Sequence, residues 1–387
     1  MRALFVHDVK ALLYDDKVFA RSYGYNVWEK RYLQVFNEIT VVTRSRITEE
    51  NPMGKIDLLS GSCVKFDNRV GMFKGPEVFF NIRVRRIIQD DIKQSDFVIC
   101  RLDSFLGLLA IHECKKIKKP YLIEVAGCAW DSFWNHGLSG KIIAPTMFFM
   151  MKKAIWDAHY VIYVTKDFLE KRYPTKGKFI NISNVELLKN DETILEKRLH
   201  IISKYNQSTI FVLGTAANVN VRYKGQQFVI EALGILKKKG ITNFIYELPG
   251  AGDNAYLKKC AEENNVVDQV IFLGSLTHES MMEWYEHIDI YIQPSLQEGL
   301  PRSVIEAMSF AIPCVGTDVA GIPELLSSSF IVSKKNVAIE IASKLKDLNI
   351  DSLKTVAKRN FMVSKEYDFT ILNKKRKDFL QEASQKN

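Results

Sequence analysis

The chain has 387 residues, more than one ordinary domain uses, so two domains are expected. Hydrophobic residues make up 47% and no stretch is low in complexity, which excludes a disordered chain; six cysteines without C-x-x-C spacing exclude a zinc cluster or a disulfide framework. The net charge of +9 lies wholly in residues 1–185, where 29 Lys and Arg face 20 Asp and Glu, while residues 186–387 balance at 25 each.

The chain opens on MRALFVHDVK, whose apolar stretch ends after four residues at His7 and Asp8, too short for a signal-peptide core. The longest near-apolar run, IIAPTMFFMM at 142–151, is far below the roughly 18 to 20 residues that cross a bilayer. A cytoplasmic protein is expected, in a reducing compartment, free in solution or peripheral on the inner face of a membrane. No nucleic acid partner is implied.

Strand-like runs follow in order: ALFVHD, ITVVTR at 39–44, SDFVICR at 95–101, PYLIEVAG at 120–127 and AHYVIYVT at 158–165, with helical patterns FLGLLAIHECKKI and TMFFMMKKAIW between the later ones. Strands alternating with helices predict a parallel sheet covered on both faces. The segment 186–207 is polar and helical in pattern and reads as a linker at the start of the second domain. A second alternating unit then runs through STIFVLGT (208–215), a helix at 225–239, FIYELPG (244–250), a helix at 254–264, QVIFLGS (269–275), a helix at 278–287, IDIYIQPS (288–295), a helix at 301–311 and PCVGT (313–317). The domains expected are 1–185 and 186–364, each doubly wound and Rossmann-like, with helical sequence after about 336. Ligands of such sheets bind beyond the carboxyl ends of the strands.

Gly250-Ala-Gly252-Asp-Asn-Ala255 sits between a strand and a helix, the setting of a dinucleotide fingerprint. Such an enzyme also needs an acidic residue about 20 positions on to hold the ribose, and the next strand ends in Leu273-Gly274-Ser275. An oxidoreductase is therefore disfavoured.

The stretch QEGLPRSVIEAM places Glu298 and Glu306 at E-x7-E spacing. Pro301 suits a first helical position, so Glu298 lies in the loop before the helix, beside Gly299, and the N–H groups of Arg302 and Ser303 suit a phosphate. Arg302, a cation at a helix start, fits best with an anion nearby. Glu306 lies in a stretch too apolar for a solvated face, and vicinal sugar hydroxyls would supply its partners, each charge-assisted bond being worth roughly 1.5–3 kcal/mol. Arg222 and Lys224 follow the first strand of the unit and suit a diphosphate. With no D-x-D in the chain, these cations and the helix start are expected to replace a metal, and no cofactor is implied.

Arg222 with Lys224-Gly225, the turn Pro-Gly-Ala-Gly, FLGSL, PSLQEGLPRSVIEAM and GIPE together resemble the retaining glycosyltransferases of family 4. That resemblance implies a GT-B fold of two Rossmann-like domains facing across a cleft, with the nucleotide-sugar donor on the second domain, a saccharide or lipid-linked acceptor on the first, and a C-terminal helix at about 365–387 packing back on the first. It implies that Glu306 holds the ribose, that Glu298 contacts the donor sugar, and that Arg222 and Lys224 face the leaving diphosphate. Gly214, Gly250, Gly252, Leu276, Gly299, Leu300, Pro301 and Arg302 complete the donor site. Where many family members carry a V-H-G histidine this chain reads Val125-Ala126-Gly127; the following loop offers Trp130, Asp131 and His136 as acceptor contacts, and Ser22-Tyr23-Gly24-Tyr25 stands for the usual Gly-Gly loop.

The expected activity is metal-independent, retaining transfer from a nucleoside diphosphate sugar such as a UDP-sugar to an acceptor of surface or capsular polysaccharide synthesis. The alternatives are a sugar phosphorylase or nucleotide-sugar epimerase on the same fold, and a non-catalytic nucleotide-sugar-binding subunit. The charge of the first half also predicts attraction to an anionic membrane surface.

Overall fold

The computed structural model describes the chain apart from residues 21–23, 55, 74, 136, 188–190 and 386–387. It divides into two units, Met1–Ile182 with Leu372–Asn387, and Ser183–Ile371. Among the described residues no helix is long and apolar enough to cross a membrane.

The first unit holds a nine-stranded sheet: β1 (Arg2–Tyr14), β2 (Lys17–Ala20), β3 (Glu38–Ile47), β4 (Asp57–Leu58), β5 (Val64–Asp67), β6 (Phe97–Leu102), β7 (Tyr121–Val125), β8 (Tyr160–Tyr163) and β9 (Lys178–Asn181). Its parallel part reads β5-β3-β1-β6-β7-β8-β9, so the winding reverses between β1 and β6. The continuous apolar runs of β6 and β7 are buried throughout their centres, as strands covered on both faces must be.

Several strands depart from the expected pattern. β1 runs well past His7 and Asp8 to Tyr14, because Asp15 and Asp16 both take positive φ (47° and 56°) and turn the chain into β2. Aspartate tolerates that region better than most residues, so the pair serves where a hairpin more often has glycine. β5 and β9 were not expected as strands; VKFD and KFIN are four-residue edges carrying lysine, which blunts an edge and hides its periodicity. The helix Phe369–Gln385 buries Leu372, Phe379 and Leu380; within this unit Phe379 meets the ring of Tyr160 edge-on at 5.6 Å, and Glu382 pairs with Lys178.

The second unit holds β10 (Phe211–Gly214), β11 (Phe244–Pro249), β12 (Val270–Gly274), β13 (Ile290–Gln293), β14 (Cys314–Thr317) and β15 (Ile331–Val332). All neighbours are parallel in the order β12-β11-β10-β13-β14-β15. The order reverses between β10 and β13, and the carboxyl ends of those two strands define the crevice where ligands of such sheets bind. The architecture is α/β of the GT-B kind, two Rossmann-like units in one chain.

The supposed linker is instead an integral helix of this unit, Glu192–Ser203. Arg198 is buried and donates to the carbonyls of Tyr285 (2.9 Å), Glu286 (3.2 Å) and Ile288 (2.7 Å), closing the C-terminus of the helix His278–His287. Ile202 packs with Leu353 and Ala357. Of its apolar residues only Ile202 is fully buried, which is why the segment reads as a polar linker.

Candidate active site

The loops that leave β10 and β13 meet at the reversal point. After β10 the chain makes a 3₁₀ turn, Arg222–Lys224, and Gly225 follows with φ 79°; a Cβ there would lie 2.0 Å from the Pro294 carbonyl oxygen. Glycine thus lets the first loop close onto the second, and Leu296 N–H donates to Tyr223 O across 2.8 Å. The consequence is an ion pair: Lys224 Nζ lies 2.7 Å from Glu298 Oε1, and the Glu298 side chain is only 9% exposed.

Glu298 has a second partner that the spacing of charges did not reveal. Gln293, the last residue of β13 and 1% exposed, donates from Nε2 to Glu298 Oε1 (2.9 Å) and to Ser295 Oγ (2.8 Å). Its Oε1 accepts from Tyr291 (3.0 Å) and Ser303 (3.3 Å). A lone amide in the otherwise apolar strand IYIQ was the available signal, since a buried polar group must find partners.

The helix Arg302–Ser309 begins one residue later than expected. Pro301 has ψ 113°, outside the helical region, and stands as the N-cap rather than at the first helical position. Arg302 is exposed at the helix start, Pro301 is buried, and Leu300 and Gly299 are half-buried; the Gly299 carbonyl accepts from Gly321 N–H (2.9 Å), which ties the GIPE segment to this loop. Glu306 is half-buried on the same helix and accepts from Tyr285 Oη at 3.0 Å. Burial, then the Glu306 carboxylate, hold the Tyr285 phenol well above its ordinary pKa, so it stays a donor. Tyr285 was also missed, because a Tyr on a helix of mixed polarity gives no separate signal.

The glycine turn after β11 has a structural explanation. A Cβ at Gly250 would lie 1.9 Å from Ala217 O, and one at Gly252, where φ is 118°, would lie 2.5 Å from Asn220 Oδ1. Both glycines let the β11 loop lie against the β10 loop. Arg222, exposed, is held over the ring of Tyr256 at 4.3 Å, so the guanidinium is steered by the helix Ala255–Glu263. Gly214 is explained by packing also, since a Cβ there would meet the Trp284 ring at 2.4 Å. Leu276 is half-buried in the loop after β12.

In the first unit, Trp130 stacks on Trp134 with centroids 5.2 Å apart and meets Phe148 edge-on at 6.1 Å. Asp131 lies 3.9 Å from Arg172. His136, with Ser22 and Tyr23, lies outside the described residues. Ala126 N–H bonds to Leu102 O (2.8 Å), and a Cβ at Gly127 would lie 3.1 Å from Asp103 Oδ1, so a carboxylate borders the position where a histidine is missing. A further buried network joins Tyr32 Oη to Glu124 Oε1 (2.8 Å) and Arg101 to Glu124 Oε2 (3.0 Å).

A family profile, Glycosyl transferases group 1, matches residues 208–351, which span both glutamates, Lys224 and the glycine turn. Protein CapJ of Staphylococcus aureus is 32% identical over 342 residues, covering 87% of this chain and 84% of that protein. The chain belongs to the group 1 glycosyltransferases. A shorter match, 36% over 110 residues and 27% of each chain, joins it to the amylovoran biosynthesis glycosyltransferase AmsK of Erwinia amylovora. Among solved structures, HepE from Anabaena in complex with UDP superposes with a TM-score of 0.65 at 15% identity, covering 99% of this chain and all of that one. In this glycosyltransferase the residues brought together in one unit are Arg222, Lys224, Gln293, Glu298 and the start of the helix that bears Glu306.

Proposed function

We propose that this glycosyltransferase moves a sugar from a UDP-sugar to a hydroxyl of a lipid-linked saccharide or other surface-polysaccharide precursor, with retention at the anomeric carbon and without a metal, as in family 4. The observation that carries this reading is the Lys224–Glu298 pair at the reversal point of the second sheet, with Gln293 fixing the carboxylate. The UDP complex of HepE supports the nucleotide, and the names of AmsK and of the colanic acid glycosyltransferase WcaL support the acceptor class.

In the reaction the bond from the anomeric carbon to the diphosphate oxygen breaks while the acceptor oxygen forms its bond on the same face, and the acceptor proton passes to the departing diphosphate oxygen. Positive charge grows on the ring and negative charge on the diphosphate. Lys224, Arg222 and the N–H groups at the start of Arg302–Ser309 face the negative charge. Glu298 accepts ring hydroxyls and orients the sugar; Glu306 accepts the ribose hydroxyls. The test is incubation with UDP-sugars and a saccharide acceptor, followed by NMR of the product. A product with the donor's anomeric configuration is expected, and an inverted one removes the retaining assignment.

A further inference from the structure

The first unit displays an apolar and basic face that the transfer chemistry does not use. On the helix Gly137–Trp156, Leu138, Ile142 and Phe149 fall at i, i+4 and i+11, one stripe of the helix, and are 81%, 78% and 65% exposed. Beside them stand Phe80, 86% exposed, and Ile82, also exposed, where the chain enters the helix Ile82–Gln94. A groove of about 580 Å³, lined by Phe79, Phe80, Leu108, Ile142 and Met150, joins the two segments.

The charges on this face are mostly basic, although Glu77 and Asp90 flank the apolar segment and Arg85 pairs with the buried Glu113 at 3.4 Å. Residues 137–156 contain Lys141, Lys152 and Lys153 and no carboxylate; residues 78–89 contain Arg83, Arg85 and Arg86 and no carboxylate. Lys141 lies over the ring of Trp134 at 5.5 Å and Lys152 over Phe148 at 5.9 Å, so cations sit on aromatic surfaces. Trp134 and Trp156, both exposed, stand just before and at the end of the helix. Protruding aliphatic and aromatic tips, flanking tryptophans, and a helix whose charges are all lysines together match the boundary between hydrocarbon and negatively charged headgroups. A helix apolar on one exposed stripe and buried at Ala144, Met147 and Met151 on the other lies along such a boundary and does not cross it.

We infer that this glycosyltransferase docks on an anionic lipid bilayer through the face formed by Phe80, Ile82, Leu138, Ile142 and Phe149, with the exposed Arg83, Arg86, Lys141, Lys152 and Lys153 on the lipid phosphates. The inference rests on the proposed reaction only in that a lipid-linked acceptor would then be met where it is anchored.

The test is co-sedimentation of the full chain with vesicles of phosphatidylcholine containing phosphatidylglycerol, and with phosphatidylcholine alone, at low and high salt. Binding to the anionic vesicles that weakens with salt is expected, and the exposed pair Phe80→Ser/Phe149→Ser should reduce it by about tenfold or more. A Lys152→Glu/Lys153→Glu variant should reduce it too. No binding to anionic vesicles at low salt, equal binding to neutral ones, or binding indifferent to both variants overturns the proposal. Self-association in sedimentation velocity that the Phe80/Phe149 variant abolishes, with no vesicle binding, would instead give the face to a second copy of the chain. Thermal stabilisation by UDP, read in the same variants, should be unchanged; its loss in the parent protein would count against the transfer reading and leave vesicle binding to be judged by itself.

Discussion

Gln293 Nε2 donates to Glu298 Oε1 across 2.9 Å, while the same side chain accepts from Tyr291 and Ser303. A flipped amide would set its oxygen against the carboxylate, so the bonds from Tyr291 and Ser303 fix which way Gln293 faces. The loop carboxylate is thereby oriented from the buried end of β13. Replacing Gln293 by Leu keeps the volume and removes the donor, and turnover should fall by about tenfold, the kinetic equivalent of one ordinary hydrogen bond. UDP affinity should stay the same, because the ribose contact assigned to Glu306 is untouched. Steady-state kinetics beside calorimetry with UDP checks both, and a parallel loss of the two would show that Gln293 acts on the whole site and not on Glu298.

Glu306 faces Tyr285 at 3.0 Å and is half-buried. Glu306→Gln should weaken UDP binding by roughly 1.5–3 kcal/mol, the scale of a charge-assisted hydrogen bond. Tyr285→Phe removes only the neutral donor that orients the carboxylate, so its effect should be smaller, about 0.5–1.5 kcal/mol. Unchanged UDP affinity in the Glu306 variant would end the ribose assignment, whatever happens to turnover.

What the sequence disclosed and what it hid follow one physical division. Strands such as IDIYIQPS and FIYELPG are buried on both faces, so their apolar runs are legible, and Glu306 stood out because its neighbours are core residues. The position of Lys224 beside Glu298 depends on strand order, which no local pattern encodes; only the loop positions were readable. The segment around Glu192–Ser203 was legible as helical but read as a linker, because Ile202 alone of its apolar residues is fully buried; the β1–β2 hairpin was hidden by an Asp-Asp turn, and Gln293 and Tyr285 by the fact that a positioning residue is defined by what it touches. Gly214, Gly250 and Gly252 are each required by a neighbouring loop or ring, a reason that sequence alone does not display.

Asp67 and Asp91 share Arg69, whose Nη2 lies 2.5 Å from one and 3.0 Å from the other. Burial, then Asp67, push the Asp91 pKa up to about 7, while Arg69 helps hold Asp67 below its ordinary value. Folded protein therefore keeps a proton on Asp91 that the unfolded chain releases near 3.8, so this group's contribution to stability falls as pH rises from about 4 to 7. Asp67 acts only below its ordinary value, in the opposite sense. His7, buried and lowered to about 3, also opposes Asp91, adding stability as pH rises from about 3 to 6.5. Asp91→Asn removes the titration and keeps a donor toward Asp67. Denaturant midpoints of both proteins from pH 4.5 to 7.5 should converge or cross because the parent loses stability relative to the variant; parallel curves would mean Asp91 ionises normally.

Lys224 and Arg222 are the cations placed beside the proposed leaving diphosphate, one paired with Glu298 and the other held over Tyr256. If they supply the counter-charge, transfer should run unchanged in excess chelator. Lys224→Ala should lower turnover by roughly 100-fold or more, the usual loss of one preorganised donor aimed at developing charge. Part of that loss would come from leaving Glu298, a carboxylate 9% exposed, with Gln293 alone, so the comparison needs a variant that separates the two effects. Arg222→Ala does so, because Arg222 is exposed and touches no carboxylate among the described residues; it should lower turnover with little change in melting temperature. Abolition of transfer by chelator and its restoration by magnesium would overturn the scheme, and full turnover in the Arg222 variant would confine the leaving-group role to Lys224 and the helix start.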